Sequence, residues 1–282
     1  MWTRRRFLKW TTAAAGGALG VYTWRVEPHW VQFVRRTLAI ADLPAALHRA
    51  TLVQLSDLHI GPRVDSDYII GVLERVAALR PDILVFTGDF ITHRDVELDE
   101  LARVLEHAPH GRLGTVGVLG NHDYGRTWGD TEIAARVVRR AQDAGVTILR
   151  NAKTELGGLQ LIGLDDLWGP NFQPGSLFET VAPHRATVVL SHNPDSADVD
   201  VWRGYQGWIL CGHTHGGQCK PPFLPPPLLP VANRSYTAGA IPLGDGRRLY
   251  INRGLGHLLR VRFNVRPEVT VFSLVSSTEE AA

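Results

Sequence analysis

The chain has 282 residues, 44% of them apolar, which suffices for one substantial core and lies near the upper limit for a single compact domain. Its 30 Lys and Arg nearly balance 28 Asp and Glu, and several basic residues crowd the first positions, so the body is close to neutral and lacks the concentrated positive charge of a nucleic-acid groove. Two cysteines exclude a disulfide-stapled scaffold and a Cys-ligated zinc module; Cys211 closes the apolar run Trp208-Ile209-Leu210 and reads as a small buried hydrophobe rather than half of a bridge to Cys219.

From the amino terminus, Thr3-Arg4-Arg5-Arg6-Phe7-Leu8-Lys9 precedes a weakly apolar stretch over residues 10–22, the charged-then-apolar order of a signal peptide. That stretch is shorter than the ~20 apolar residues a membrane span needs, and glycine dilutes it further. With paired arginines ahead of Phe-Leu-Lys it resembles a twin-arginine export signal, an address read by the twin-arginine translocation receptor. The expectation is a signal or uncleaved tether over residues 1–25, a connector over 26–47 and a folded domain over 48–282. The protein would then be periplasmic or held at the outer face of the inner membrane, as a monomer.

Beyond the connector, short apolar runs alternate with helical patterns. Strands are expected at 51–55, 83–86 and 115–119, with helices at 67–79, 96–107 and 133–144 between and after them, the signature of βαβ units and a largely parallel sheet. In the second half strands dominate, at 159–164, 186–190, 207–210, 248–251 and 269–274. The pairs Arg35-Arg36 and Arg139-Arg140 read as solvated faces.

Each apolar strand ends in residues of metal-ligand type: Asp57-Leu58-His59, then Gly88-Asp89, then Gly120-Asn121-His122-Asp123, then His192, then Gly212-His213-Thr214-His215. Open α/β sheets place their ligands just beyond the carboxyl ends of strands. Asp57 to Asp89 and Asp89 to Asn121 are each 32 positions apart, the length of one βαβ crossover, so neighbouring parallel strands present these groups side by side. Five of the twelve histidines fall in these strand ends. Singly, an Asp here could cap a helix and a His could sit hydrogen-bonded in the core; together they indicate one pocket. Among the other histidines, His93 follows Asp89 closely enough to reach a substrate.

In this order, Asp57-x-His59, Gly88-Asp89, Gly120-Asn121-His122-Asp123, the single His192 and Gly212-His213-x-His215 resemble the calcineurin-like metallophosphoesterase superfamily over roughly residues 51–274. The strings flanking Asp57 and His213 resemble its bacterial twin-arginine-exported branch. The resemblance implies an α/β fold, a four-layer αββα sandwich of two mixed β-sheets, with a dinuclear metal site at the strand C-terminal ends. Carried over, Asp57, His59, Asp89 and His215 would hold one divalent ion, and Asp89, Asn121, His192 and His213 the other. Mixed carboxylate, amide and imidazole donors suit Mn, Fe or Zn, with Mn favoured, over Mg or Ca.

The implied activity is hydrolysis of a phosphodiester or phosphomonoester, with a hydroxide held between the metals attacking phosphorus. His122 is the candidate general acid, Asp123 a candidate to orient it, and Arg253 a candidate phosphate contact. Two alternatives stand beside this: pyrophosphate hydrolysis of a UDP-linked acylated sugar lipid such as UDP-2,3-diacylglucosamine, and a non-catalytic metal-binding envelope protein. The substrate could be lipid-linked, since the proline-dense loop 221–230 could seat an acyl chain or rest on a membrane; its other reading is a stiffened lid packed on the domain.

Overall fold

In the computed structural model, which describes residues 3–179 and 184–280, an exposed helix α1 (Arg4–Val21) comes first. Among the described residues no helix is long and apolar enough to cross a membrane. The body then runs β1 (Gln32–Ile40), β2 (Thr51–Leu55), α2 (Ser66–Ala77), β3 (Ile83–Thr87), α3 (Leu98–Leu105), β4 (Gly114–Val118), α4 (Thr131–Asp143) and β5 (Thr147–Ile148). It continues through β6 (Ala152–Leu156), β7 (Leu159–Gly163), α5 (Gly175–Glu179), β8 (Thr187–Leu190), β9 (Trp208–Cys211), β10 (Gly239–Pro242), β11 (Arg248–Ile251) and β12 (Glu268–Ser276).

Two six-stranded mixed sheets result, in the orders β1-β12-β2-β3-β4-β5 and β10-β11-β9-β8-β7-β6. Side-chain parity decides which layer each strand feeds. Leu84 and Phe86 of β3 face α2, α3 and α4 in one core, whereas Ile83 and Val85 face the second sheet. Likewise Trp208 and Leu210 of β9 enter the core between the sheets, and Ile209 and Cys211 face outward into a third. That outer core is closed by Leu177 and Phe178 of α5 with Trp202, Tyr205 and Tyr236 from loops. The αββα order therefore holds, with a thin fourth layer that among the described residues consists of α5 and irregular chain. Cys211 and Cys219 are free, and Cys211 is buried.

Residues 26–47, expected to be a connector, contain β1, which pairs in parallel with β12 from Gln32↔Glu268 to Ile40↔Ser276. The Arg35-Arg36 pair hides its alternation, because an edge strand carries exposed charge at positions that would be apolar in a central one. Strands β5, β6 and β10 also fall outside the expected set. All three are short or edge elements with mixed composition, and β6 and β10 pair antiparallel at the sheet margins. Tertiary contact with the body begins before β1: the Arg262 N–H donates to Thr23 O at 3.0 Å, and Glu27 accepts from the Val265 N–H at 2.6 Å.

Candidate metal centre

Beyond the ends of β2, β3, β8 and β9 the chain turns sharply. Asp57, His59, Asp89, His213 and His215 all take positive φ, between 48° and 71°. For non-glycine residues this left-handed backbone costs roughly 1–3 kcal/mol each and persists where the surroundings hold it. Here inter-loop bonds do so: the Asp57 N–H donates to Gly88 O at 2.9 Å, His59 N–H to Asp89 O at 3.0 Å, and Gly212 N–H to His192 O at 3.0 Å. Glycine is required beneath the clusters. A Cβ on Gly120 would lie 2.2 Å from Asp89 Oδ1, and one on Gly212 would lie 1.9 Å from Ser56 Oγ.

The turned side chains meet in two buried groups, Asp57 with His59 and His215, and Asp89 with His192 and His213. In the first, the Nε2 atoms of His59 and His215 face each other at 3.0 Å, with Asp57 Oδ1 3.3 Å from His215. In the second, His213 Nδ1 lies 3.2 Å from His192 Nε2. Asp89 Oδ2 lies between the groups, 3.1 Å from His192 Nε2 and 3.5 Å from His59 Nε2. Asn121 is buried beside them, and both its side-chain oxygen and nitrogen lack a hydrogen-bond partner. Facing ring nitrogens and an orphaned buried amide are costly unless something electropositive sits among them. The donor set thus fits two cations.

Outer contacts fix ring orientation. His192 Nδ1 meets Thr87 O at 2.7 Å and His213 Nε2 meets Pro230 O at 2.8 Å, which leaves His192 Nε2 and His213 Nδ1 free as donors to a cation. Burial holds His59 and His215 well below the ordinary imidazole value and His213 at about 3, so these rings are neutral, the ligating form. Burial also pushes Asp57 up to about 6. It opposes a charge on His192 as well, yet Asp89 beside it, then Asp57 and Asp166, raise that ring well above its ordinary value.

Residues 50–217 match the family described as calcineurin-like phosphoesterase. Phosphodiesterase YaeI of Escherichia coli strain K12 is 34% identical across 98% of this chain and 100% of its own. The uncharacterized metallophosphoesterase YkuE of Bacillus subtilis strain 168 is 32% identical over 98% of each. UDP-2,3-diacylglucosamine pyrophosphatase LpxG of Chlamydia trachomatis is 28% identical over 89% of this chain and 93% of its own.

The chain belongs to the calcineurin-like phosphoesterase family. It is an enzyme, a hydrolase acting on phosphoester bonds. As a calcineurin-like phosphoesterase it brings six of the seven residues read as ligands into the two groups, with Asn121 buried and His122 half-buried. The His122 ring centroid lies 4.9 Å from that of His59, and its Nδ1 meets Thr92 O at 2.5 Å, leaving Nε2 directed elsewhere. The His122 backbone N–H donates to Asp89 Oδ1 at 2.9 Å, which reserves Oδ2 for the clusters. His93 stands next in line, 6.5 Å from His122 between ring centroids.

Two expectations fail. Asp123 does not orient His122: its carboxylate accepts backbone N–H groups from Gly120, Asp89, Phe90 and Ile91 at 2.8–3.2 Å and braces the loop that carries Asp89. Arg253 does not face the site. Its guanidinium pairs with Glu268 and reaches Gln32 at 3.1 Å, on the β1–β12 side. A residue following a strand can leave toward either side, and sequence does not say which.

Other contributors carry no sequence signal. Arg262 is fully buried and donates to the carbonyls of Arg253, Gly254 and Gly256 at 2.7–3.1 Å, with its Nη2 3.4 Å from His215 Nδ1. Asp166 is buried near His192 with Oδ2 unpartnered, and burial pushes it up to about 7. Trp168 packs edge-on to His213 with centroids 4.5 Å apart and stacks on Trp128 at 4.8 Å.

Proposed function

We propose that this calcineurin-like phosphoesterase works with two divalent ions, manganese favoured, and cleaves phosphodiesters. The position of Asp89 Oδ2 between the two imidazole clusters carries the reading, since one oxygen within reach of both groups is what a shared ligand requires. Asp57, His59, Asp89 and His215 would hold one ion, and Asp89, Asn121, His192 and His213 the other. Bound there, the ions supply positive charge to the phosphoryl oxygens and make water a better nucleophile at neutral pH.

The remaining chemistry belongs to the side chains. The Thr92 carbonyl accepts the hydrogen bond from His122 Nδ1–H, which sets the tautomer and leaves Nε2 as the atom that exchanges a proton with the departing oxygen. Glu97 fixes that carbonyl's segment by accepting the N–H groups of Thr92, His93 and Arg94 at 2.9–3.0 Å. YaeI, a phosphodiesterase by name, supports diesters; LpxG supports a second reading, pyrophosphate cleavage in a UDP-linked acylated sugar lipid. Manganese-loaded protein assayed on bis-nitrophenyl phosphate, nitrophenyl phosphate and a UDP-linked diacyl sugar decides between them. Turnover greatest on the diester is expected; turnover confined to the pyrophosphate would establish the second reading.

Residues 1–25 are proposed to be an export signal read by the twin-arginine translocation receptor, which would deliver the folded enzyme to the periplasmic side. The support is Arg4-Arg5-Arg6-Phe7-Leu8-Lys9 forming the first turns of the exposed helix α1, which is not long and apolar enough to cross a membrane. Changing Arg4 and Arg5 to Lys should trap the protein in the cytoplasm, and unaltered delivery would refute the address.

A further inference from the structure

Three segments close one side of the molecule beside the metal centre. The Arg262 N–H donates to Thr23 O at 3.0 Å, so the stretch 258–263 lies along the turn that ends in Trp30. Its other side meets residues 218–220: Gln218 Nε2 donates to Leu259 O and Val261 O at 2.9 and 3.0 Å, and the Lys220 N–H donates to Phe263 O at 2.9 Å. From there the proline-dense loop 221–230 runs back to the site, where Pro230 O meets His213 Nε2. The face is therefore continuous from Trp24 to a residue of the second cluster.

Its exposed side chains are large and apolar. Phe223 is wholly exposed, Leu228 is 74% exposed and Leu224 59%, while Leu259, Trp30 and Trp24 on the flanking segments are 62%, 51% and 45% exposed. Scattered apolar side chains on a surface need no explanation, but a continuous group beside an active site marks an interaction face. The loop cannot fold inward to cover them. Pro226 is buried against Gly217, and Arg234 donates to the carbonyls of Pro226 and Pro227 at 3.1 and 3.2 Å, so the tip bearing Phe223 and Leu224 is held outward.

Charge says what covers it. Across residues 21–30, 217–234 and 257–267 the sole carboxylate is Glu27, and it is buried on Val265. Arg25, Lys220, Arg260 and Arg266 rim the same segments, with Arg25 stacked over Trp24 at 4.3 Å and Arg266 over Trp30 at 3.9 Å. Protruding aliphatic and aromatic tips inside a cationic rim, with tryptophans at the boundary, are the composition of a surface that lies in the headgroup layer of a membrane. We propose that this face docks on an anionic phospholipid bilayer, with Phe223, Leu224 and Leu228 entering the acyl boundary and the rim cations meeting lipid phosphates. The mouth of the metal centre then opens at the membrane surface.

The test uses the full-length, manganese-loaded protein with phosphatidylglycerol–phosphatidylcholine vesicles. The wild type should co-sediment with them and release at high salt, since the attraction of the rim cations to an anionic surface is screened by salt. The F223S/L224S/L228S variant should bind at least tenfold more weakly while hydrolysing soluble bis-nitrophenyl phosphate at the wild-type rate. Helix α1 could hold vesicles by itself, so Leu228→Cys in a Cys219→Ser background, labelled with an environment-sensitive dye, reads the loop directly. A blue-shift on anionic vesicles supports docking. No vesicle binding, or binding with the dye unshifted, overturns it, and either result stands whatever the hydrolysis assays show.

Discussion

His122 separates binding from chemistry. Its ring is anchored at Nδ1 by Thr92 O, and it belongs to neither buried Asp/His group. His122→Ala should therefore leave metal content unchanged and lower turnover by roughly 10²–10⁴-fold, the usual worth of a positioned proton donor. The deficit should be largest for an alkyl phosphodiester and smallest for a nitrophenyl ester, whose leaving group needs little protonation. Wild-type turnover on the alkyl ester would remove the acid role; loss of metal would make His122 a structural residue. Asp57, Asp89, His192, His213 and His215 stand out in the sequence because ligand-type residues recur at strand ends, with Asp57, Asp89 and Asn121 at crossover spacing. Arg262 does not, because its work is done through three backbone carbonyls whose meeting only the folded loops create. Arg253 stands in a suggestive position and turns the other way, drawn by Glu268.

Between elements, Asp123 is the tie that holds two loops in register. It sits after β4 yet gathers three N–H groups from the loop after β3, including that of Asp89. Four buried donors aimed at one carboxylate lose their acceptor in Asp123→Ala, at a cost on the order of 3 kcal/mol or more. Thermal unfolding of the metal-free protein should fall accordingly, and metal affinity should fall with it because Asp89 loses its support. An unchanged midpoint would show that water replaces the brace. The same level explains the strands that sequence patterning misses. Central strands such as β3 and β9 are apolar on both faces and declare themselves, whereas β1 lies at a sheet edge where Arg35, Arg36 and Thr37 face solvent. An edge strand is recognised by its partner, and β12 is 236 positions away along the chain, from Gln32 to Glu268.

At the scale of the molecule, buried imidazoles make stability depend on pH. His257 is enclosed, with Nε2 3.0 Å from Arg63 O, and burial lowers it to about 4 from 6.5. The folded state thus refuses a proton that the unfolded chain accepts. Its contribution is complete above about pH 6.5 and is lost as pH falls toward 4, with a slope of about 1.4 kcal/mol per pH unit for one such group. Urea titrations between pH 7 and 4 should show His257→Gln falling less steeply than wild type; parallel curves would contradict the assignment.

The two-sheet architecture brings five strand ends to one place, with Asp89 Oδ2 within reach of both histidine clusters, where it would serve as the ligand shared by two ions. The most direct measurement is metal content by elemental analysis after exhaustive dialysis, on wild type and Asp89→Asn. An amide offers no charged oxygen to share, so the wild type should keep two divalent ions per chain and hydrolyse a phosphodiester, while Asp89→Asn should keep at most one and hydrolyse none. Two ions retained at full occupancy in Asp89→Asn would contradict the shared site.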